Sequence, residues 1–541
     1  MPVILSTAIG LVREDAYDQW CALEDEPTGA DPSRRVPATG RLLEAAFDAG
    51  ADDYLALGKR LGAEPSGGLA HAAACAVNPS DMGLMLAWSR VVEAWAGEAR
   101  TVLVLCRDPW MYRHLAAKPG VATAGPPPPL AAHAATLWLR GYLSRIRFAL
   151  RAAAGAVSFR GHRARVERGE SCLLVYAHPS STAAGRDGFF GDLIQRLPGL
   201  RRVLHTDRPF DLVRELVRDG RTVSLHGWGN PISALALPFA KWRPGAALRR
   251  GPEGWLVRRA AALEGGGGTA AAIQWQRHCQ HAWLTRARPR CVAWPWENHN
   301  WERAFVRQAR AAGARTAGYQ HSVIGHQMLN HAVGSNPDGL ASIPERVVCN
   351  GAPTMQQLAD WGLPAERLVV GGALRYPEPQ PVRHDAAGPV FLALPFDGAT
   401  AAQMVEAAKT DASGSRRYLV KAHPIYGFDF EETETVKRTD TPLTQQSGLA
   451  GVVYAATTVG LEALLGGLPV LRFRPRGRIA IDILPKGLSV PVTDPEDFGA
   501  ALAHLEPASA VRHSEVFAPV DMTVWSDLLG EGAQAHGIES S

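Results

Sequence analysis

The sequence predicts an α/β protein of two Rossmann-like domains facing across a cleft, and three observations carry that reading. Short runs rich in leucine and β-branched residues recur along the chain, each followed by a turn and a segment of helical period. Such alternation builds parallel sheets joined by helical crossovers. At 541 residues the chain exceeds one hydrophobic core, since single cores stop growing near roughly 250–300 residues. The Pro-rich, polar stretch Tyr376–Gly388 then breaks the pattern between a Gly-Gly turn and the run Val390–Leu394. It reads as a hinge between an N-terminal half, 1–375, and a C-terminal half of about 385–505. The terminal segment, 506–541, is expected to return to the first half.

The elements follow in order. Thr101–Cys106 reads as a strand before the helix Trp110–Ala117, and Gly125–Pro129 stiffens and interrupts the chain. Cys172–Tyr176 and Val203–His205 are strands, the second feeding the helix Phe210–Arg218, and Gly265–Gly268 reads as a surface loop. Arg290–Trp294 precedes the helix Glu302–Ala312, and Thr316–Tyr319 is the next strand. In the second half Val390–Leu394 precedes the helix Ala401–Ala408, and Tyr418–Lys421, Val452–Tyr454 and Val470–Phe473 continue the series.

Between the prolines and residue 168 lies a basic amphipathic segment, 130–168. Leu137, Trp138, Leu139, Leu143, Ile146 and Leu150 alternate with Arg140, Arg145, Arg147 and Arg151, and further arginines follow to Arg168. The favoured reading packs its apolar face on the domain and leaves the arginines solvated. The other is peripheral contact of 137–168 with an anionic membrane, where each basic residue adds ~1 kcal/mol near the surface.

Composition excludes several classes. Lys plus Arg number 57 against 53 Asp plus Glu, a net +4 that argues against a nucleic-acid partner. The seven cysteines are odd in number, scattered and without Cys-x-x-Cys, which fits neither a disulfide framework nor a zinc site. The first residues lack a signal peptide's basic region, and no apolar run reaches the ~18 residues of a membrane span. A cytoplasmic protein is expected, soluble or peripheral on the inner membrane.

Chemistry concentrates at strand ends. The strand Tyr418–Lys421 delivers Lys421 and His423 to its carboxyl end, where Pro424 stops it. Both side chains suit a phosphate, His423 by protonating it as it leaves. After Val452–Tyr454, Thr457 and Thr458 open a helix whose N–H groups favour an anion, and Glu462, one turn on, suits a ribose hydroxyl. No Asp-x-Asp at a strand end marks a metal-dependent transferase, and no Gly-x-x-x-x-Gly-Lys-Ser/Thr marks an NTPase. No cofactor or metal is therefore expected.

Lys421-Ala422-His423-Pro424 with Thr457-Thr458-Val459-Gly460-Leu461-Glu462 and Gly467-Leu468-Pro469-Val470 resembles the C-terminal domain of bacterial GT-B surface-carbohydrate glycosyltransferases. It is most similar to the sialyltransferase and Kdo-transferase class of capsule and lipopolysaccharide synthesis, with Thr-Thr where many members have Ser-Ser. The resemblance implies a nucleotide-sugar donor, with a CMP-linked acidic sugar such as Kdo or a nonulosonate preferred, and a glycan or lipid-linked acceptor. Glycerophosphate polymerases share the pattern, so glycerophosphate transfer stays open. So do a sugar-nucleotide epimerase of the same architecture and a non-catalytic polysaccharide assembly or export partner.

In the first half, Trp296-Glu297-Asn298-His299-Asn300-Trp301-Glu302-Arg303 and Tyr319-Gln320-His321 follow neighbouring strands and resemble a broad set of surface-carbohydrate biosynthesis proteins. Glycosyl transfer needs a carboxylate beside an oxocarbenium-like transition state. Glu297 is the expected catalytic carboxylate, with His423 as its catalytic counterpart. Asp187, beside the His178–Ser181 loop expected on the acceptor side, is the reserve. Lys421, Thr457, Thr458, Glu462, Gln320, His321 and Arg375 are the expected donor contacts.

Overall fold

The computed structural model describes every residue except 1, 25, 208, 377, 379–381, 425, 508–510 and 531–541. The expected hinge Tyr376–Gly388 therefore lies partly outside the described residues, as do parts of the segment 506–541.

Among the described residues, seventeen strands divide among three sheets, and every strand pairing is parallel. β1 (Val3–Ser6), β2 (Gln19–Ala22), β3 (Val102–Leu105) and β4 (Val121–Ala124) form a four-stranded sheet in the order β2-β3-β1-β4. β5 (Ser171–Val175), β6 (Arg201–Leu204), β7 (Thr222–Ser224), β8 (Cys291–Pro295), β9 (Arg315–Gln320), β10 (Arg346–Cys349) and β11 (Leu368–Val370) form a seven-stranded sheet, order β11-β10-β9-β8-β5-β6-β7. β12 (Val390–Ala393), β13 (Tyr418–Lys421), β14 (Val436–Arg438), β15 (Gly451–Tyr454), β16 (Val470–Phe473) and β17 (Val492–Thr493) form a six-stranded sheet, order β14-β13-β12-β15-β16-β17.

The seven- and six-stranded sheets are the two Rossmann-like units. All five residues of β5 and of β8 are buried, because helices cover both faces of the sheet. Alternate residues therefore belong to different cores: Cys172, Leu174 and Val292 to one, Leu173, Val175 and Ala293 to the other. The C-terminal sheet repeats the arrangement, with Phe391 and Val452 on one side and Leu392 and Val453 on the other.

Residues 1–375 thus hold two sheets rather than the single one that the strand pattern suggests. β4 pairs with β1 in register and completes the first sheet before the prolines release the chain into the helix Leu130–Ser158. The helices around this first sheet reach the C-terminal unit. Glu44, on the helix Thr39–Ala49, accepts from Arg472 at 2.6 Å and Arg474 at 2.8 Å. The indole of Trp88 donates to the Gly477 carbonyl at 3.3 Å.

The described part of the terminal segment touches both units: Val516 and Phe517 join the core that holds Phe391 and Val452, and the helix Met522–Leu529 packs on the N-terminal unit. Trp525 donates to the Gly371 carbonyl at 3.0 Å and meets Phe190 and Tyr319 edge-on. The Gly265–Gly268 loop is pinned: its Gly265 and Gly266 carbonyls accept from Arg145 at 2.7 Å and Arg140 at 2.9 Å. All seven cysteines are free and buried.

Candidate active site

In an open parallel sheet, ligands bind outside the carboxyl ends of the strands where the strand order reverses. In the seven-stranded sheet that point lies between β5 and β8. Tyr176, Ala177 and His178 emerge from one strand there, and Trp296 and Glu297 from the other. In the six-stranded sheet it lies between β12 and β15, where Pro395–Asp397 and Ala456–Thr458 emerge.

Glu297 occupies the first point. Its side chain is 40% exposed and accepts from His299 Nε2 at 2.8 Å, with His321 Nε2 at 3.9 Å from its other oxygen. Burial works against its charge, but the His299 hydrogen bond and the nearby imidazoles of His321 and His331 outweigh it and hold the carboxyl at about 2. Burial likewise disfavours protonated His299, yet Glu297 more than compensates and raises its pKa. Burial pushes His321 to about 3 and His331 to about 4, so both are neutral at physiological pH. The site therefore presents a permanent carboxylate, an imidazole of increased basicity and a neutral imidazole. A hydroxyl entering the 3.9 Å gap can donate to Glu297 and accept from His321.

The loop that aims Glu297 is built from below. Glu302, on the helix Asn300–Ala311, accepts the main-chain N–H groups of Glu297 at 3.0 Å and Asn298 at 2.8 Å. Asn298 is fully buried with φ of 55°, a left-handed conformation that Asn tolerates better than most residues, and its amide donates to the Asn330 carbonyl and to Asn336. Buried Arg303 donates to the Asn298 carbonyl at 3.0 Å and the Ser335 carbonyl at 2.9 Å. Glu302 and Arg303 thus serve the loop rather than each other, because both face the interior where unpaired N–H and C=O groups need partners.

Burial pushes the Glu302 carboxyl up to about 7. The folded state keeps this proton to about pH 7, whereas the unfolded chain releases it near ~4.3. Across that window the folded state binds more protons, so this group's contribution to stability falls as pH rises. Glu302→Gln should remove that component: urea midpoints at pH 4.5 and 7.5 should decline less in the variant than in wild type. Parallel declines would refute the assignment.

Asp187, the reserve carboxylate, does not reach the cleft. Its side chain is wholly enclosed, accepts from Phe189 N–H at 2.9 Å and Phe190 N–H at 3.1 Å, and faces Arg202 at 3.7 Å. It shapes the turn that sets Phe189 against the His178 and His321 rings. Gln320 ends β9 and is buried, its amide donating to the Ser322 carbonyl at 3.4 Å.

On the C-terminal side β12 lies between β13 and β15, so the His423 and Thr457 loops flank the loop Pro395–Asp397. Phe396 meets the His423 ring edge-on at 6.4 Å, and burial lowers the His423 pKa. Phe396 and Ala456 line a cavity of about 160 Å3 closed from the other side by Phe47, Asp81, Leu84 and Gln327. Ala456 turns the chain sharply with φ of 49°, a conformation rare outside glycine that concentrates at functional turns. Thr457 and Thr458 follow, half-buried, and neither caps the helix Val459–Leu465 through its side chain. That helix is only seven residues long, a shorter dipole source than the sequence pattern suggests. Lys421 points elsewhere: its ammonium donates to the Asp440 carbonyl at 2.7 Å.

Arg375 links the two sides. Its guanidinium lies 5.8 Å from the Phe189 ring and 5.7 Å from Tyr376, with no carboxylate at ion-pair distance among the described residues. Its charge nevertheless reaches His321 on one unit and Glu462 on the other, opposing the rise that burial causes in the Glu462 pKa. Glu297 and His321 thus lie together at one switch point, with the charge of Arg375 reaching His321 and Glu462. At the other, His423 meets Phe396, and Ala456, next to Thr457, lines the Phe396 cavity. Sequence reasoning missed His299, His331 and Tyr176. The signal for His299 is its place two residues beyond Glu297, a spacing that a carboxylate–imidazole pair can use.

No family model matches the chain, and no curated protein matches it. Solved structures align with it at low identity. UDP-N-acetylglucosamine 2-epimerase from Rickettsia bellii is 11% identical, the match covering 68% of this chain and 96% of that one with a TM-score of 0.38. Anabaena Alr3699/HepE, solved with UDP and glucose, is 10% identical over 69% of this chain and 100% of its own, TM-score 0.34. The calicheamicin glycosyltransferase CalG4 is 13% identical over 69% of this chain and 100% of its own, TM-score 0.38.

Proposed function

We propose that the chain is a metal-independent glycosyltransferase that moves a sugar from a nucleotide-activated donor to a hydroxyl of a bacterial surface glycan or glycoconjugate. One observation carries this reading: at the switch point of one sheet the Glu297 carboxylate accepts from His299 and lies 3.9 Å from His321, and the charge of Arg375 reaches both His321 and Glu462, which follows the hydroxyl loop of the other sheet. The Glu297 carboxylate stabilises the positive charge that develops on the departing sugar, a role that a carboxyl held at about 2 fills at any working pH. The acceptor hydroxyl sits between Glu297 and His321, and the His299–Glu297 pair accommodates its proton. On the donor side Thr457 and Thr458 bind the phosphate, Glu462 the ribose, and the His423 ring hydrogen-bonds the leaving group. Arg375, a cleft guanidinium with no ion pair among the described residues, favours an acidic donor, of which a CMP-linked sugar such as Kdo or a nonulosonate is preferred.

The test is a thermal-shift panel of CMP, CDP, UDP, GDP and ADP on wild type and His423→Ala. A ligand at 100 times its Kd stabilises by roughly 2.7 kcal/mol, so one nucleotide, CMP, should raise Tm clearly and lose that effect in the variant. A response to CDP alone would redirect the reading to glycerophosphate transfer. Donor conversion without acceptor would indicate an epimerase. Silence from all five nucleotides would sink the enzyme reading.

A further inference from the structure

The helix Leu130–Ser158 spans 29 residues, roughly 43 Å at 1.5 Å per residue, and contains no Asp or Glu. Its inner face is Leu137, Gly141, Arg145, Phe148 and Ala152, spaced three or four residues apart and buried. Its opposite face keeps Leu139 53%, Leu143 48% and Leu150 69% exposed. The helix Pro231–Phe239 packs alongside and adds Ile232, Leu235 and Phe239, exposed by 73%, 75% and 67%. The two elements are stapled together by Arg145, which is not solvated as the sequence suggests but donates to the Pro238 carbonyl at 2.9 Å. Scattered exposed leucines are ordinary, whereas exposed apolar side chains gathered on two adjoining helices, which meet at Tyr142 and Phe239, mark an interaction site.

Charge says what covers it. Arg147 and Arg151 flank this apolar patch, exposed and without a carboxylate at ion-pair distance among the described residues. Beside Trp138 opens a cavity of about 580 Å3 lined by Arg145, Lys241, Arg243, Arg249 and Arg258, with no acidic residue among its walls. Burial and the charges of Arg243 and Arg145 lower the Lys241 pKa, as expected of cations crowded without a counter-ion. No helix among the described residues is long and apolar enough to cross a membrane, and this one carries four arginines.

We propose that the Leu130–Ser158 and Pro231–Phe239 face docks flat on an anionic membrane, its leucines entering the headgroup boundary and a lipid phosphate occupying the cation-lined cavity beside Trp138. An in-plane helix needs an apolar face, a cationic flank and no acidic residue at the contact, and all three are present. Docking is independent of the proposed transfer reaction and holds whether or not the cleft binds a nucleotide.

The experiment is co-sedimentation of the full chain with vesicles of phosphatidylcholine alone and of phosphatidylcholine with phosphatidylglycerol. Wild type should pellet with the anionic vesicles, and less so at high salt. Leu143→Glu/Leu235→Glu should weaken the partition at least about tenfold, and Arg243→Glu/Arg249→Glu should do the same. All four positions are solvent-exposed, so circular dichroism should show both variants folded. Wild type remaining in the supernatant, equal binding to both vesicles, or variants that bind as wild type would each overturn the proposal. So would light scattering that finds a dimer dispersed by the leucine pair, which would make a second copy the occupant.

Discussion

Glu297→Gln should lower the rate of sugar transfer by about 10²–10⁴-fold while leaving the nucleotide-induced rise in Tm intact. Glutamine keeps the side chain's length and can still accept from His299, so the 2.8 Å contact survives while the charge is lost. An oxocarbenium-like transition state feels that loss directly, whereas a nucleotide bound at the C-terminal switch point does not. The variant has a second readout. His299 is basic only because Glu297 offsets its burial. Without that charge its pKa should fall toward those of its buried neighbours His321 and His331, at about 3 and 4. NMR titration of the imidazoles follows this without any substrate. Full transfer activity in Glu297→Gln would remove Glu297 from the chemistry and favour a non-catalytic assembly partner. An unchanged His299 titration would instead show that the pair is weaker than its geometry suggests.

Sheet strands and their carboxyl ends were legible because both are local. Tyr418–Lys421 and Val470–Phe473 coincide with strands to the residue, since an apolar run bounded by turn residues needs no distant partner to be recognised. The places of Glu297 and His321 just beyond the ends of neighbouring strands were legible for the same reason. The four-stranded N-terminal sheet was legible only at β3, within Thr101–Cys106, because β2 begins at Gln19 among polar neighbours and β4 carries few bulky apolar residues. Charged residues misled most. Arg145 reads as solvated and Asp187 as catalytic along the chain, and both are buried in the fold, Arg145 by carbonyls 93 and 120 residues away and Asp187 by its own turn. Lys421 was correctly placed at a strand end, yet Asp440, on the neighbouring edge of the sheet, decides where its ammonium goes.

A buried contact very remote in sequence makes the strongest stability prediction. Glu44 and Arg472 are separated by 428 residues and meet at 2.6 Å, their side chains only 11% and 5% exposed. Glu44→Ala should destabilise the chain by up to about 3–5 kcal/mol, since removing one partner leaves the buried guanidinium with only Asp482, at 4.0 Å, as counter-ion. Glu44→Leu with Arg472→Met should recover most of that loss, because an apolar pair of similar volume avoids the desolvation penalty of both ions. Urea denaturation of wild type and both variants measures this. The consequence reaches the cleft, because the helix that carries Glu44 also carries Phe47, which lines the cavity at the C-terminal switch point. Ala480, whose carbonyl accepts from Arg472, lines it too. Glu44→Ala should therefore also reduce the nucleotide-induced rise in Tm, and the double variant should restore it in part. If Glu44→Ala unfolds at the wild-type urea midpoint, the N-terminal layer does not clamp the C-terminal unit and the cavity must be held by other contacts.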